Sequence, residues 1–175
     1  MNLHSSGPVS RWTAGAALAM TIALTAMPLA RASGEGWGIK GTYRAQSNGQ
    51  WAQTNDSYHD ENSVVATWTV STTCSDSRDC TGTVQSDQGW TAPIYQKSGM
   101  WYVTHTVQGW EPCADGTAAD GLQVFRFYAA TPDGFADIHS TDLYVGEDTT
   151  TGVSGACGHN KPLLVTMPFK LTPTG

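Results

Sequence analysis

From Gly38 to the C-terminus the apolar side chains recur at every second position. That is the period of a β-strand, whose successive side chains face opposite sides of a sheet. Ile39, Gly41, Tyr43 and Ala45 alternate with Lys40, Thr42, Arg44 and Gln46. Val64, Ala66, Trp68 and Val70 share one face, as do Gly82 and Val84. Trp101, Val103, His105 and Val107 share another, followed by Phe125, Phe127 and Ala129. Strands over residues 138–145 and 163–171 complete the set, the last with Leu163, Val165, Met167, Phe169 and Leu171 on one side. No stretch of this region carries a helical stripe, although residues 57–63 could hold one short helical turn.

The connections carry turn chemistry. Asn48-Gly49 between alternating runs predicts a tight hairpin, with residues 50–54 returning as the partner strand. Lys97-Ser98-Gly99 and Thr131-Pro132-Asp133-Gly134 also read as turns. The carboxylates at Asp87, Asp115, Asp120, Asp133 and Glu147-Asp148 are explained by the same chemistry, most of them beside glycine. Eight or nine short strands at regular spacing predict an all-β domain. Clean one-sided alternation and short connections favour a single antiparallel meander forming an open or partly closed barrel, with a β-sandwich as the alternative. Pro168 removes a ladder donor from the last strand, which predicts an edge or a bulge there and weighs against full closure.

The first 32 residues have a different character. A short segment with Arg11 precedes an apolar run over 14–30 and then Ala30-Arg31-Ala32, a small-x-small cleavage signal. This predicts a signal peptide over 1–32 and a secreted β-domain over 33–175; an uncleaved anchor is the competing reading, since 17 residues sit at the lower limit of spanning length. No later apolar run is long enough to form a transmembrane segment. Removing the leader takes away two arginines and no carboxylate, so the net charge moves from −6 to −8. Such an acidic body is a poor partner for nucleic acid or an anionic surface.

Cys74, Cys80, Cys113 and Cys157 all follow the leader, and an even count in an exported chain predicts disulfides. The favoured pairing joins Cys74 to Cys80 across a turn-like loop and Cys113 to Cys157 between distant loops. A zinc site is disfavoured by the spacing, because His159 is the only histidine near Cys157.

No catalytic motif is present: there is no nucleophile elbow around His139 to Asp142, no phosphate loop and no dinucleotide fingerprint. The loop from Glu111 to Asp120 lacks the spacing of a calcium loop, and no metal or cofactor is expected. Aromatic rings near strand ends can stack on sugars or close a barrel mouth, and a histidine on an apolar face can anchor a ligand. The candidate ligand-binding residues are therefore Trp90, Trp101, His105, Trp110, Phe125 and Phe127, each of which a packed core would also explain.

Several segments together carry a resemblance: Trp68 with Cys74 and Cys80-Thr81-Gly82-Thr83-Val84, then Gly89-Trp90, then Trp110-Glu111-Pro112-Cys113-Ala114-Asp115-Gly116, Gly155-Ala156-Cys157-Gly158 and Met167-Pro168-Phe169. The chain resembles a group of small exported proteins from mycobacteria and related actinobacteria. The resemblance implies export and disulfides, and it carries no catalytic residue over.

The expected function is a non-catalytic binding domain whose partner is a small apolar ligand, a cell-envelope component or another protein. A cell-envelope hydrolase using scattered carboxylates and a structural or host-interaction protein are the alternatives.

Overall fold

The computed structural model describes residues 36–174, so the expected leader over 1–32 lies outside the described residues. Ten strands follow one another: β1 (Lys40–Ser47), β2 (Gln53–Thr54), β3 (Ser57–Tyr58), β4 (Val64–Asp76), β5 (Asp79–Ser86), β6 (Thr91–Lys97), β7 (Met100–Pro112), β8 (Ala118–Ala129), β9 (Tyr144–Gly152) and β10 (Leu164–Pro173). Every pairing is antiparallel, in the order β1-β4-β5-β6-β7-β8-β9-β10, and β10 returns to β1. The fold is an up-and-down barrel of eight strands, with the small β2–β3 hairpin added to β10.

The barrel closes completely, further than Pro168 suggested. β10 pairs with β1 over Phe169–Pro173 and with β2 over Val165 and Thr166. Pro168 falls in the gap between those two ladders, where its carbonyl accepts the Asn48 N–H at 2.8 Å. The missing donor therefore faces the point at which β1 ends and no ladder partner exists.

Four local expectations are corrected. Asn48-Gly49 makes no hairpin: Asn48 caps a 3₁₀ turn over Gly49–Trp51, and a Cβ on Gly49 would collide with the Glu61 carbonyl. β1 pairs instead with β4, and the tight hairpin lies at Asn55-Asp56, whose positive φ values of 49° and 66° suit a two-residue turn. Residues 57–63 form no helical turn, since Ser57–Tyr58 is a strand. The strand expected over 138–145 begins only at Tyr144, and Glu147-Asp148 lies within β9 rather than in a turn. The inward positions of β9 after Tyr144 are Gly146, Asp148, Thr150 and Gly152, so that strand has no apolar alternation to read.

Inside the barrel the rings fill the space. Trp68 meets Phe125 edge-on at 4.8 Å, Trp90 at 5.5 Å and Phe169 at 5.3 Å between centroids. Phe127 packs on Phe169 and on Tyr144. Trp68, Trp101 and Phe127 are all within 2% of complete burial. Such pairs contribute roughly 0.5–1.5 kcal/mol each beyond area burial. Gly146 lets β9 approach β8 closely, because a Cβ there would strike the carbonyl of Arg126.

Both disulfides form as expected. Cys74–Cys80 clips the β4–β5 hairpin, and Cys113–Cys157 joins the β7–β8 turn to the β9–β10 connection. Titration of the denatured, unreduced protein is expected to find essentially no free thiol; appreciable thiol would contradict both pairings. Gly146→Ala is expected to cost about 1–3 kcal/mol by forcing β8 and β9 apart, read as a lowered urea midpoint.

Candidate functional site

With the interior packed, open space lies at the two ends of the barrel. Around the rings only about 20 Å³ remains, beside Trp68, Phe125 and Asp148. An apolar recess opens at the end where β6 leads into β7, with a volume of about 390 Å³. That lies near the lower end of the ~300–1,000 Å³ typical of ligand pockets.

One wall of this mouth is the segment before β1. Gly38 lies against the end of β4, where a Cβ would come within 2.6 Å of Thr72 Oγ1 and 3.2 Å of Cys74 Sγ. The buried Thr72 hydroxyl accepts the Ile39 N–H and donates to the Ile39 carbonyl, both at 2.9 Å. This anchoring sets Trp37 across the opening, 6.0 Å from the His139 ring. The facing wall is the β8–β9 loop. Thr131-Pro132-Asp133-Gly134 forms the expected turn, closed by the Gly134 N–H to the Thr131 carbonyl at 2.8 Å. Ser140 Oγ donates to the Ala130 carbonyl at 2.6 Å, and Ala130 bridges to Ala136. The loop is thus tied to its own base and presents Ile138 to the recess.

At the base sit Trp101, Tyr144 and Gln96, the last inward-facing residue of β6. Gln96 Oε1 is buried and has no hydrogen-bond partner. Buried polar atoms are nearly always paired, so this acceptor lacks a donor that something entering the mouth can bring. Ile138 and Phe135 are 63% and 74% exposed, which makes the surroundings of the opening apolar. Among the described residues no carboxylate lines the recess.

The six residues expected to bind ligand do not share one recess, although Trp90, His105 and Phe125 stack together with centroids 4.1–6.3 Å apart. Trp101 lies at the base of the mouth, while Phe125 and Phe127 are core. Trp90 and His105 stack on each other near the opposite end, 4.1 Å apart and nearly parallel. Trp110 packs in a second cluster with Ala52, Val165 and Met167, over the glycines Gly121 and Gly152. Trp37, Gln96 and Ile138 were not among the candidates: Trp37 lies before the alternation begins, Ile138 falls in an expected strand that the structure replaces with a loop, and an inward glutamine is invisible until its neighbours are placed.

His105 begins a polar chain into the barrel. Its Nε2 donates to Gln123 Oε1 at 2.7 Å, and Gln123 Nε2 donates to Asp148 Oδ1 at 2.7 Å. Ser47 Oγ donates to Asp148 Oδ2 at 2.6 Å. Burial pushes the Asp148 carboxyl above the usual range, against the two hydrogen bonds and the His105 ring, which pull it down. Asp115, in the β7–β8 turn, is held below the usual range by the Thr117 hydroxyl and N–H. Among the described residues no three His, Cys, Asp or Glu side chains converge as metal ligands, and no helix is long and apolar enough to cross a membrane.

No family model matches the chain, and no curated protein matches it. Among solved structures it is similar to the monomer form of the M. tuberculosis PknI sensor domain, with a TM-score of 0.55 and 17% sequence identity. The match covers 78% of this chain and 88% of that one, and the likeness is one of fold.

Because folding raises the Asp148 pKa above its unfolded value, its contribution to stability is full below about pH 4 and is lost as pH rises through the folded value. Asp148→Asn is expected to remove this dependence. Urea unfolding at about pH 4 and about pH 7 should therefore show wild type losing ground to the variant at the higher pH. Parallel profiles would show that folding leaves the Asp148 pKa unchanged.

Proposed function

We propose that this is a secreted, non-catalytic binding domain that takes a small, mainly apolar ligand with one hydrogen-bonding end in the mouth between the segment before β1 and the β8–β9 loop. The observation that carries the reading is the unpartnered Gln96 Oε1 at the base of an apolar recess of about 390 Å³. Apolar walls supply affinity through burial, and a single acceptor orients the ligand's hydroxyl or N–H. Among the described residues no pair of carboxylates faces this recess, which weighs against a two-carboxylate glycosidase there. Two disulfides suit life outside the cytoplasm. The solved structure of similar fold is a sensor domain, a role compatible with this reading.

Decanol is a suitable probe, since it combines an apolar chain with one donor. Saturable change in tryptophan emission is expected, because Trp37 and Trp101 line the recess. Ile138→Asp puts a charge against the apolar chain and is expected to weaken binding by more than about tenfold. Gln96→Leu is expected to remove the preference for decanol over its methyl ether, which keeps the chain and loses the donor. No response to decanol, or binding indifferent to Ile138→Asp, would overturn the proposed site.

A further inference from the structure

At the end of the barrel opposite the mouth lies a second cleft of about 630 Å³, built from three separate pieces of chain. The end of β7 contributes Glu111 and Pro112, the β2–β3 turn contributes Asn55, and the β9–β10 connection contributes residues 159–161 and Leu163. The Cys113–Cys157 disulfide joins two of these pieces, two residues beyond Glu111 on one side and two residues before His159 on the other. Asn55 fastens the third: its Oδ1 accepts the Leu164 N–H at 3.2 Å, and its N–H donates to the Leu164 carbonyl at 2.8 Å.

Glu111 is only 6% exposed, and its Oε2 is buried without a hydrogen-bond partner. The chain makes room for this oxygen. Gly152, at the end of β9 two strands away, has ordinary backbone geometry, but a Cβ there would lie 2.7 Å from Oε2 and 3.4 Å from the Trp110 ring. A carboxylate oxygen seated in a space left by a glycine, at the wall of an open cleft, lacks a donor and is placed where a ligand can bring one.

The surrounding charges select the donor. An anion entering the cleft would meet the Glu111 carboxylate, and a cation would meet the exposed Lys161 ammonium on the same lining. A neutral hydroxyl donates to Oε2 with neither conflict. The Asn55 amide nitrogen, left free by the bond its oxygen makes, and the exposed Asn160 amide offer further polar contacts. Pro112 and Leu163 supply the apolar surface on which the C–H face of a sugar ring can rest. We propose that this cleft binds a neutral polyhydroxylated ligand, a sugar unit of a glycan, with Glu111 accepting from a ligand hydroxyl. It is separate from the apolar mouth and stands or falls independently of it.

Amide correlation spectra of the protein titrated with maltose, butylamine and inorganic phosphate test the proposal. Maltose is expected to shift the amides of Asn55 and residues 159–163 saturably, while butylamine and phosphate leave them in place. Glu111→Gln is expected to weaken maltose by about tenfold, the loss of a hydrogen bond to a charged acceptor. Asn160→Ala, in the exposed loop, keeps the spectrum dispersed and weakens maltose less; it decides the matter should Glu111→Gln fail to fold. Silence toward maltose up to about 100 mM, saturable butylamine or phosphate binding in its place, or an affinity untouched by both substitutions would overturn the proposal.

Discussion

Closure of the sheet between β1 and β10 is the constraint on which the rest depends. Eight antiparallel strands enclose an interior only wide enough for side chains. Once the ring closes, Trp68, Phe125, Phe127 and Phe169 occupy that interior, and almost no space is left among them. A ligand held within the barrel must therefore sit at an end, where the inward residues run out and the connecting segments take over. Closure also leaves the barrel without an open edge, so only the short β2–β3 hairpin presents one.

The polar groups inside the wall fall into two kinds. Asp148 sits among the rings with both carboxylate oxygens partnered by Ser47 and Gln123, and through Gln123 it is joined to His105. Burial works against its charge, and the hydrogen bonds offset part of that cost. Gln96 and Glu111 differ: each has a buried oxygen without a partner, and each lines open space at opposite ends of the barrel. A satisfied network specifies the core, whereas an unsatisfied acceptor beside open space is where a ligand gains most.

How far the sequence foretold this depended on what each strand turns inward. β4, β7, β8 and β10 bury Trp, Val, Phe, Met and Leu at alternate positions, and they lie close to where the two-residue period put them. β9 buries Tyr144 and then mostly glycine and polar residues, so the alternation puts its strand too early, over 138–145, and reads Glu147-Asp148 as a turn. Asn48-Gly49 carried a strong hairpin signal, yet the close passage of Glu61 required glycine there for space rather than for a turn. Pro168 was rightly read as a break in pairing, but the break is a gap between two partners and not an open edge. The candidate aromatic residues scattered because ring type marks burial and says nothing of which end of a strand a ring occupies.

By itself the sequence determined the all-β class, the antiparallel order and the presence of disulfides, because strand periodicity and an even cysteine count are properties of the chain alone. Only the tertiary structure decided that the barrel closes, that its interior is full, and that Gln96 and Glu111 are buried without partners. Those are facts about which segments meet across the barrel. A residue's nearest neighbours there are tens of positions away, as Cys113 and Cys157 are, and no pattern along the chain records them.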